Sequence, residues 1–450
     1  MARVVIIGAG LTGLSAAYHL EQKGFHDYIL LEGSSSAGGL CGSAQQDGFT
    51  FDYTGHLLHI NDPYFKQFIF DLVGLDFFNH IKRKAYIYSH DRYTHYPYQV
   101  NLYGLPSSVI IDCIQGFTER HTHKKKRTFK DWVHASFGNG FARHFFIPYQ
   151  EKIFSYPVEK LTASWTSRFV PATNLYDILK GTLEKPQNDI GYNAAFYYPK
   201  QGGIVSWVHK IAHALLNPIR THCTVTQIDM RNKTVQTQDG QQFQYDQLIS
   251  TAPLDKLLTL IIEKPSVDCK KAAKHLKCNS ILNFNLGINK PDLSDKHWIY
   301  YPEKKYPFYR VGFPHNLSSA MAPAGHSSLS GEIAFMQKPL STVHEEYRTA
   351  HTQIKKIFGL TAADIVTEKL ITISHAYVTF DFWRERNLPK LLHRLEQEAI
   401  HSVGRYGSWK YASMQEAVLD GKKIADTLTM MPAQRWYHVP TTQPKQKEFS

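Results

Sequence analysis

Three glycines and one acid carry the first readable chemistry. Gly8-Ala9-Gly10-Leu11-Thr12-Gly13 follows a β-branched run at residues 3–7, and a second apolar run, Tyr28–Leu31, stops at Glu32. Spaced as G-x-G-x-x-G, the glycines allow a tight turn and a close approach of backbone to a pyrophosphate. That group then rests on the unpaired N–H groups of a helix start. Glu32, about 20 residues past the last glycine, is placed to accept from a ribose hydroxyl. The chemistry is dinucleotide binding; a turn that merely packs a helix on a sheet would leave Glu32 without a role. A second candidate is Arg168, set among Trp165, Phe169 and Val170. A guanidinium buried there needs an anion; the alternative is an arginine lying over a packed aromatic with its head in water. His56 and His59 stand three apart with no third ligand at a sensible spacing, so no metal is expected.

These residues require strand, turn, helix and strand in that order, and the opening supplies them: an apolar strand, a helix ending near Gly24, and a strand before Glu32. Ser36-Ala37-Gly38-Gly39-Leu40 opens a second close-approach loop that a nicotinamide domain does not usually carry, which favours FAD over NAD. The opening resembles that of flavoproteins with two dinucleotide-binding motifs. Further on, residues 48–60 read as strand into loop, 61–73 as helix, and 84–88 with 92–96 as a hairpin around Ser89-His90-Asp91. Helical periodicity dominates 106–183, a helical insertion into the dinucleotide fold. Residues 247–254 form a buried strand that returns the chain to the first domain. Strand-like pieces at 279–288, 298–301, 308–312, 329–335 and 371–378, with a helix over Leu340–Phe358, predict a second, largely antiparallel sheet. The late turn Gly404-Arg405-Tyr406-Gly407 precedes a helix over 416–428 whose start can face the flavin.

The chain has 450 residues, enough for two or three domains, and its net charge is +12. The excess is scattered except at Lys124-Lys125-Lys126-Arg127, and no nucleic-acid motif accompanies it, so nucleic acid is not an expected partner. A phosphorylated small molecule accounts for the charge more simply. No apolar run approaches about 18 residues, which predicts no membrane span. Five cysteines without C-x-x-C spacing suit a reducing cytoplasm.

Read together, D-Y-T-G-H-L-L-H (52–59), Y-P-Y-Q-V-N-L (96–102), P-Y-Q-E-K-I-F (148–154), W-T-S-R-F-V-P (165–171), Y-P-K-Q-G-G (198–203), P-F-Y-R (307–310) and G-R-Y-G-S-W-K-Y (404–411) resemble the UDP-galactopyranose mutase family, closer to its eukaryotic-type branch. The resemblance spans roughly residues 2–430. It implies an α/β fold: a FAD-binding Rossmann-like domain (1–100, 196–265 and 395–435), a helical substrate-binding domain (101–195) and an antiparallel β-sheet domain (266–394), with 436–450 a disordered tail. It also implies an isomerase. Reduced FAD attacks the anomeric carbon through N5, UDP leaves, the sugar reopens and recloses as the furanose, and UDP returns. NADPH or NADH is the implied reductant, and no second dinucleotide fingerprint appears for it. Relatives of this kind are dimers or tetramers, which admits a homo-oligomer.

Carried over residue by residue, Arg168 and Arg310 match the diphosphate arginines, and Tyr300, Tyr377 and Tyr411 the tyrosines that donate to the same phosphates. Tyr98 and Gln99 fall at the uracil, Phe145, Tyr149 and Gln150 at the uridine, Asn193 at the sugar and Trp165 on the pocket wall. Gly55 and His56 lie on the loop over the flavin. Thr12, Leu40, Arg405, Met414 and Gln415 join the glycines and Glu32 at the cofactor. Three departures stand out: Thr54 replaces a glycine, Gln150 an asparagine and Phe154 a tryptophan. They bear on nucleotide and sugar identity. Two other readings share the flavin domain, namely an amine oxidase or protoporphyrinogen oxidase type of oxidoreductase and a flavoprotein that binds a nucleotide sugar without converting it. A mutase for a different nucleotide sugar is a variant of the first reading.

Overall fold

The computed structural model describes residues 3–123, 126–166, 170–185, 194–262 and 269–430. Arg168, Asn193, the Lys124-Lys125 pair and the expected tail at 436–450 lie outside the described residues.

Three widely separated stretches build a parallel five-stranded sheet. Its order is Ile400–Ser402, Gln247–Ser250, Val4–Ile7, Tyr28–Leu31, Ile219–Arg220. Val4, Val5 and Ile6 are fully buried, as a strand covered on both faces must be. The helix Leu11–Glu21 leaves the first strand and lies against the late helix Met414–Met430, where Ser15 Oγ donates to the Val418 carbonyl at 2.6 Å. A Cβ on Gly421 would stand 2.5 Å from the Thr12 carbonyl, so only glycine lets these helices touch. The first and last thirds of the chain are thereby one body.

The second sheet has seven strands, ordered Ile365–Ile373, Ser280–Ile288, Ser327–Phe335, Arg310–Gly312, Trp298–Tyr300, Ala85–Ser89, Arg92–His95. It is antiparallel except where Ala85–Ser89 meets Trp298–Tyr300. The early hairpin therefore reaches across to complete this sheet. The helix Leu340–Phe358 covers one face with Val343, Tyr347, Ala350 and Ile354, spaced as one helical stripe. The strand expected at 371–378 instead spans Ile365–Ile373. Beyond Ile373 the chain stays beside the residues that lead into Ser280–Ile288: Ala376 N donates to the Asn279 carbonyl at 2.9 Å, Tyr377 N to the Asn279 side-chain oxygen at 2.7 Å, and Val378 bridges Cys278.

A helical group, Ser107–Thr118, Phe129–Phe141, Ile147–Phe154 and Leu175–Leu183, meets the second sheet through the third of these helices. Thr128 and Asp131 close a reciprocal capping box at the start of the second helix. A π-helical turn, Ala142–Phe146, joins the second to the third. Such a turn inserts an extra residue and re-aims the chain beyond it, here an aromatic run. No described helix is long and apolar enough to cross a membrane.

Candidate active site

The dinucleotide cradle is formed by backbone. A Cβ on Gly13 would lie 1.9 Å from the Gly8 carbonyl oxygen, so the helix starts closer to the turn than any side chain permits. Gly39, at φ +56°, sits against Gly10, where a Cβ would come 3.2 Å from the Gly10 Cα. Gly38 N donates to the Ala9 carbonyl at 2.9 Å, which binds the second loop to the first. The helix Leu11–Glu21 has neither a side-chain cap nor an acid in its first turn. Its free N–H groups therefore suit a phosphate. Glu32 closes the cradle, its carboxylate accepting from Ala9 N and Ser34 N, both at 2.8 Å. Thr12 is buried beneath Gly404. Leu40 packs against the buried cluster of Ile281, Tyr309, Ile373 and Ala376 and so links the cradle to the second sheet. Met414 is buried, and the Gln415 side chain accepts from Asn61 N at 2.7 Å and Asp62 N at 2.9 Å, tying the last helix to the helix Pro63–Leu72.

Facing the cradle, the second sheet presents a row of side chains in register. Tyr300 pairs with Arg310, and Arg310 with Glu332. Directly paired residues share a sheet face. Arg310 Nη2 reaches Glu332 Oε1 at 2.6 Å, and the Tyr309 hydroxyl donates to the other carboxylate oxygen. The Glu332 side chain is 3 % exposed, whereas that of Arg310 retains 20 %. The carboxylate is thus the buried anchor and the guanidinium the accessible end.

Arg405 supplies a second cation. It donates to the carbonyls of Ala412 at 3.0 Å and Ala376 at 3.1 Å and forms no ion pair among the described residues. The rings of Tyr411, Tyr377 and Tyr406 surround it, with centroids 4.8, 5.6 and 5.6 Å from its Cζ. The 54–56 loop runs over Arg310, since a Cβ on Gly55 would stand 3.3 Å from Arg310 Nη2. Burial first, then the charges of Arg405 and Arg310, push His56 down to about 4. The imidazole is therefore neutral at neutral pH. Thr54, at φ +70°, occupies a left-handed conformation that is costly for a β-branched residue.

Aromatic rings form the third wall. Tyr98, Phe145 and Tyr149 stack in sequence, with centroids 4.9 and 5.3 Å apart, and Tyr149 meets Tyr300 edge-on at 5.3 Å. Tyr98 is fully buried under Phe145, and Gln99 is buried with its amide donating to the Pro171 carbonyl at 3.1 Å. Tyr98 underlies the wall. Gln150 is half-buried on the helix Ile147–Phe154. Trp165 stacks on Phe129 and Phe380 and meets Phe154 edge-on, and Phe154 in turn borders Tyr377 at 6.0 Å.

Residues 11–429 match the family described as flavin containing amine oxidoreductase. The chain belongs to this family. A family cofactor of this kind fits the uncapped helix start, the paired glycines and Glu32, and the site is that of a FAD-dependent enzyme of mixed α/β fold. A crystal structure of reduced UDP-galactopyranose mutase superimposes with a TM-score of 0.88 at 27% identity, covering 95% of this chain and 94% of that one. Wild-type putrescine oxidase bound to putrescine shares the fold, with a TM-score of 0.64 at 15% identity over 95% of this chain and 99% of that one. Among curated proteins, 4,4'-diapolycopene oxygenase of Methylomonas sp. is 24% identical over 70% of this chain and 69% of its own. The 4,4'-diapophytoene desaturase of Staphylococcus aureus (strain MRSA252) is 31% identical over 20% of this chain, a match that spans only 18% of the desaturase.

Glu332, Tyr309 and Lys152 are site-building residues that sequence reasoning did not single out. Glu332 carries no local signal. Lys152 lies within the P-Y-Q-E-K-I-F motif, but its partners are about 150 residues away in the chain.

Proposed function

We propose that the protein is a flavin-dependent nucleotide-sugar mutase of the eukaryotic type, interconverting UDP-galactopyranose and UDP-galactofuranose. The observation that carries this reading is the partly exposed Arg310 guanidinium in register with Tyr300, with Arg405 ringed by Tyr377 and Tyr411, opposite a dinucleotide cradle. Its support is the likeness at 27% identity to a reduced UDP-galactopyranose mutase over nearly the whole chain. When bound and reduced, the flavin supplies a nucleophile for an anomeric carbon, with no net oxidation of the sugar.

The side chains do the rest. Arg310 binds the departing diphosphate, its charge held in place by Glu332, and fixed donors act most strongly where charge develops. Tyr300, Tyr377 and Tyr411 add hydroxyl donors to the same group, and Arg168 is the proposed further clamp. A neutral His56 leaves the loop free of a third positive charge against Arg310 and Arg405. Phe145 and Tyr149 offer ring faces to a uracil, with Tyr98 and Gln99 behind them; Gln150, Trp165 and Asn193 complete the uridine and sugar contacts. Gly55, Arg405, Met414 and Gln415 shape the flavin side. NADPH or NADH is the proposed reductant. The three-domain division, with 101–195 as the substrate-binding part, belongs to the same proposal.

The test is to incubate reduced protein with UDP-galactofuranose and follow UDP-galactopyranose by chromatography. Conversion by reduced but not oxidised protein supports the reading. Flavin and UDP binding without conversion redirects it to another nucleotide sugar. The family match and the diapolycopene oxygenase relative favour a second reading, an oxidoreductase. It requires oxygen-dependent turnover of an amine or apolar substrate and no affinity for UDP.

A further inference from the structure

Lys152 sits on the helix Ile147–Phe154, three residues past Tyr149 and so on the same helical face. Its ammonium donates to three backbone carbonyls: Tyr301 at 2.6 Å, Phe308 at 2.7 Å and Glu303 at 3.1 Å. All three lie in the connection between the strands Trp298–Tyr300 and Arg310–Gly312. An ammonium has three donors and no more, so Lys152 keeps none for a ligand. It forms no ion pair among the described residues, and Glu303 acts on it only at longer range. The next residue extends the same arrangement. Asn279 Nδ2 donates to the Ile153 carbonyl at 2.6 Å while its oxygen accepts from Tyr377 N at 2.7 Å. One turn of helix is therefore tied by side chains to the segments that carry Tyr300 and Tyr377, two of the three candidate phosphate-binding tyrosines.

We propose that Lys152 is a positioning residue that fixes the Tyr149 ring against the Tyr300–Arg310 hairpin and thereby sets affinity for a uridine diphosphate group. The ligand class rests on the function proposed above; the tether itself does not. Tyr149 meets Tyr300 and Tyr309 edge-on, with centroids 5.3 and 6.4 Å apart, contacts that by themselves would let the ring slide. The Lys152 chelate holds the helix at the register where that ring borders Arg310. A planar guanidinium cannot direct its donors at three converging carbonyls as an ammonium does. Charge by itself is not the requirement.

The experiment uses flavin-loaded protein and the variants Lys152→Met and Lys152→Arg. Hydrogen exchange of residues 145–154 and 298–310 reads the tether, and titration with UDP, followed by flavin absorbance, reads the site. In Lys152→Met, exchange is expected to rise in both segments but not at residues 4–13. The dissociation constant for UDP is expected to rise about ten-fold or more, with kcat changed far less than KM, because the lost interaction acts through binding geometry. Lys152→Arg is expected to restore neither, and it carries the same test if Lys152→Met does not fold. Unchanged exchange overturns the proposal. So does faster exchange with unaltered UDP affinity, or full restoration by arginine. If wild-type protein does not bind UDP at all while exchange still rises in the variant, the tether stands and the nucleotide-sugar reading falls.

Discussion

The Arg310 guanidinium and the Glu332 carboxylate face each other across neighbouring strands, with Nη2 2.6 Å from Oε1, and the carboxylate is the more deeply buried partner. This asymmetry makes Glu332 the fixed member and Arg310 the one presented to the cleft. Removing one partner of such a pair leaves the other charge uncompensated.

Glu332→Gln should therefore act at a distance from any ligand. It removes the negative charge and one of the two oxygens, so the side chain can no longer accept from both Arg310 and the Tyr309 hydroxyl. Stability is expected to fall by about 3 kcal/mol, measured by urea unfolding. UDP affinity should fall with it, measured by titration of the folded fraction. Retention of both would mean that Arg310 is held by packing alone.

Gly13→Ala tests the cradle. A methyl group there would stand 1.9 Å from the Gly8 carbonyl, and backbone on both sides cannot yield. The expected outcome is protein purified without flavin absorbance. A variant with full flavin content would refute the close approach of turn and helix.

Asp52 offers a pH test. It is 7% exposed, and its carboxylate accepts from the Ser43 hydroxyl at 2.6 Å, the Tyr198 hydroxyl at 2.6 Å and Ile204 N at 3.1 Å. Burial raises it to about 6 despite those hydrogen bonds. Between pH about 4 and 6 the folded protein thus holds a proton that the unfolded chain has released. Stability contributed by this group is present below that window and is lost as pH rises through it, by up to about 3 kcal/mol at 1.4 kcal/mol per unit. Subtracting the unfolding free energy of Asp52→Asn from that of wild type across pH 4–7 should isolate this slope; a flat difference would show that the carboxyl titrates normally.

Thr54 stands at φ +70° where glycine would be free of strain. Thr54→Gly should relieve about 1–2 kcal/mol of left-handed strain against about 0.5–1 kcal/mol of glycine entropy. A small rise in Tm of flavin-loaded protein is expected. A fall would mean that the Thr54 side chain makes a contact that outweighs its backbone.

Much of the fold can be read from local pattern. The glycine spacing, the apolar runs on either side and Glu32 lie within one strand–helix–strand unit, so neighbours in sequence are neighbours in space. The return of the chain at Gln247–Ser250 is visible as a buried apolar strand, and it pairs with Val4–Ile7. The helix Leu340–Phe358 shows its period directly. Local pattern misses the first half of the strand Ile365–Ile373, because those residues are held by pairing with Asn285–Ile288, about eighty residues earlier, while past Ile373 the pairing shrinks to the bridge between Cys278 and Val378.

The aromatic and arginine motifs mark which residues to watch, but not what each does. Tyr98 and Gln99 fall at the uracil by resemblance; in the fold both are buried, Tyr98 stacked on Phe145 and Gln99 with its amide on the Pro171 carbonyl. Lys152 looks like any helix-end cation until three carbonyls of a distant connection converge on it.

What the sequence determined by itself is the dinucleotide cradle and the order of elements, since backbone freedom at glycine and the period of apolar residues are local properties. What only the tertiary structure decided is which charges are paired and which are presented. Strand register placed Glu332 under Arg310, while the turn Gly404–Gly407 set Arg405 among two carbonyls and three tyrosine rings. The state of a buried charge depends on the atoms that replace water around it, and those atoms come from parts of the chain far apart in sequence.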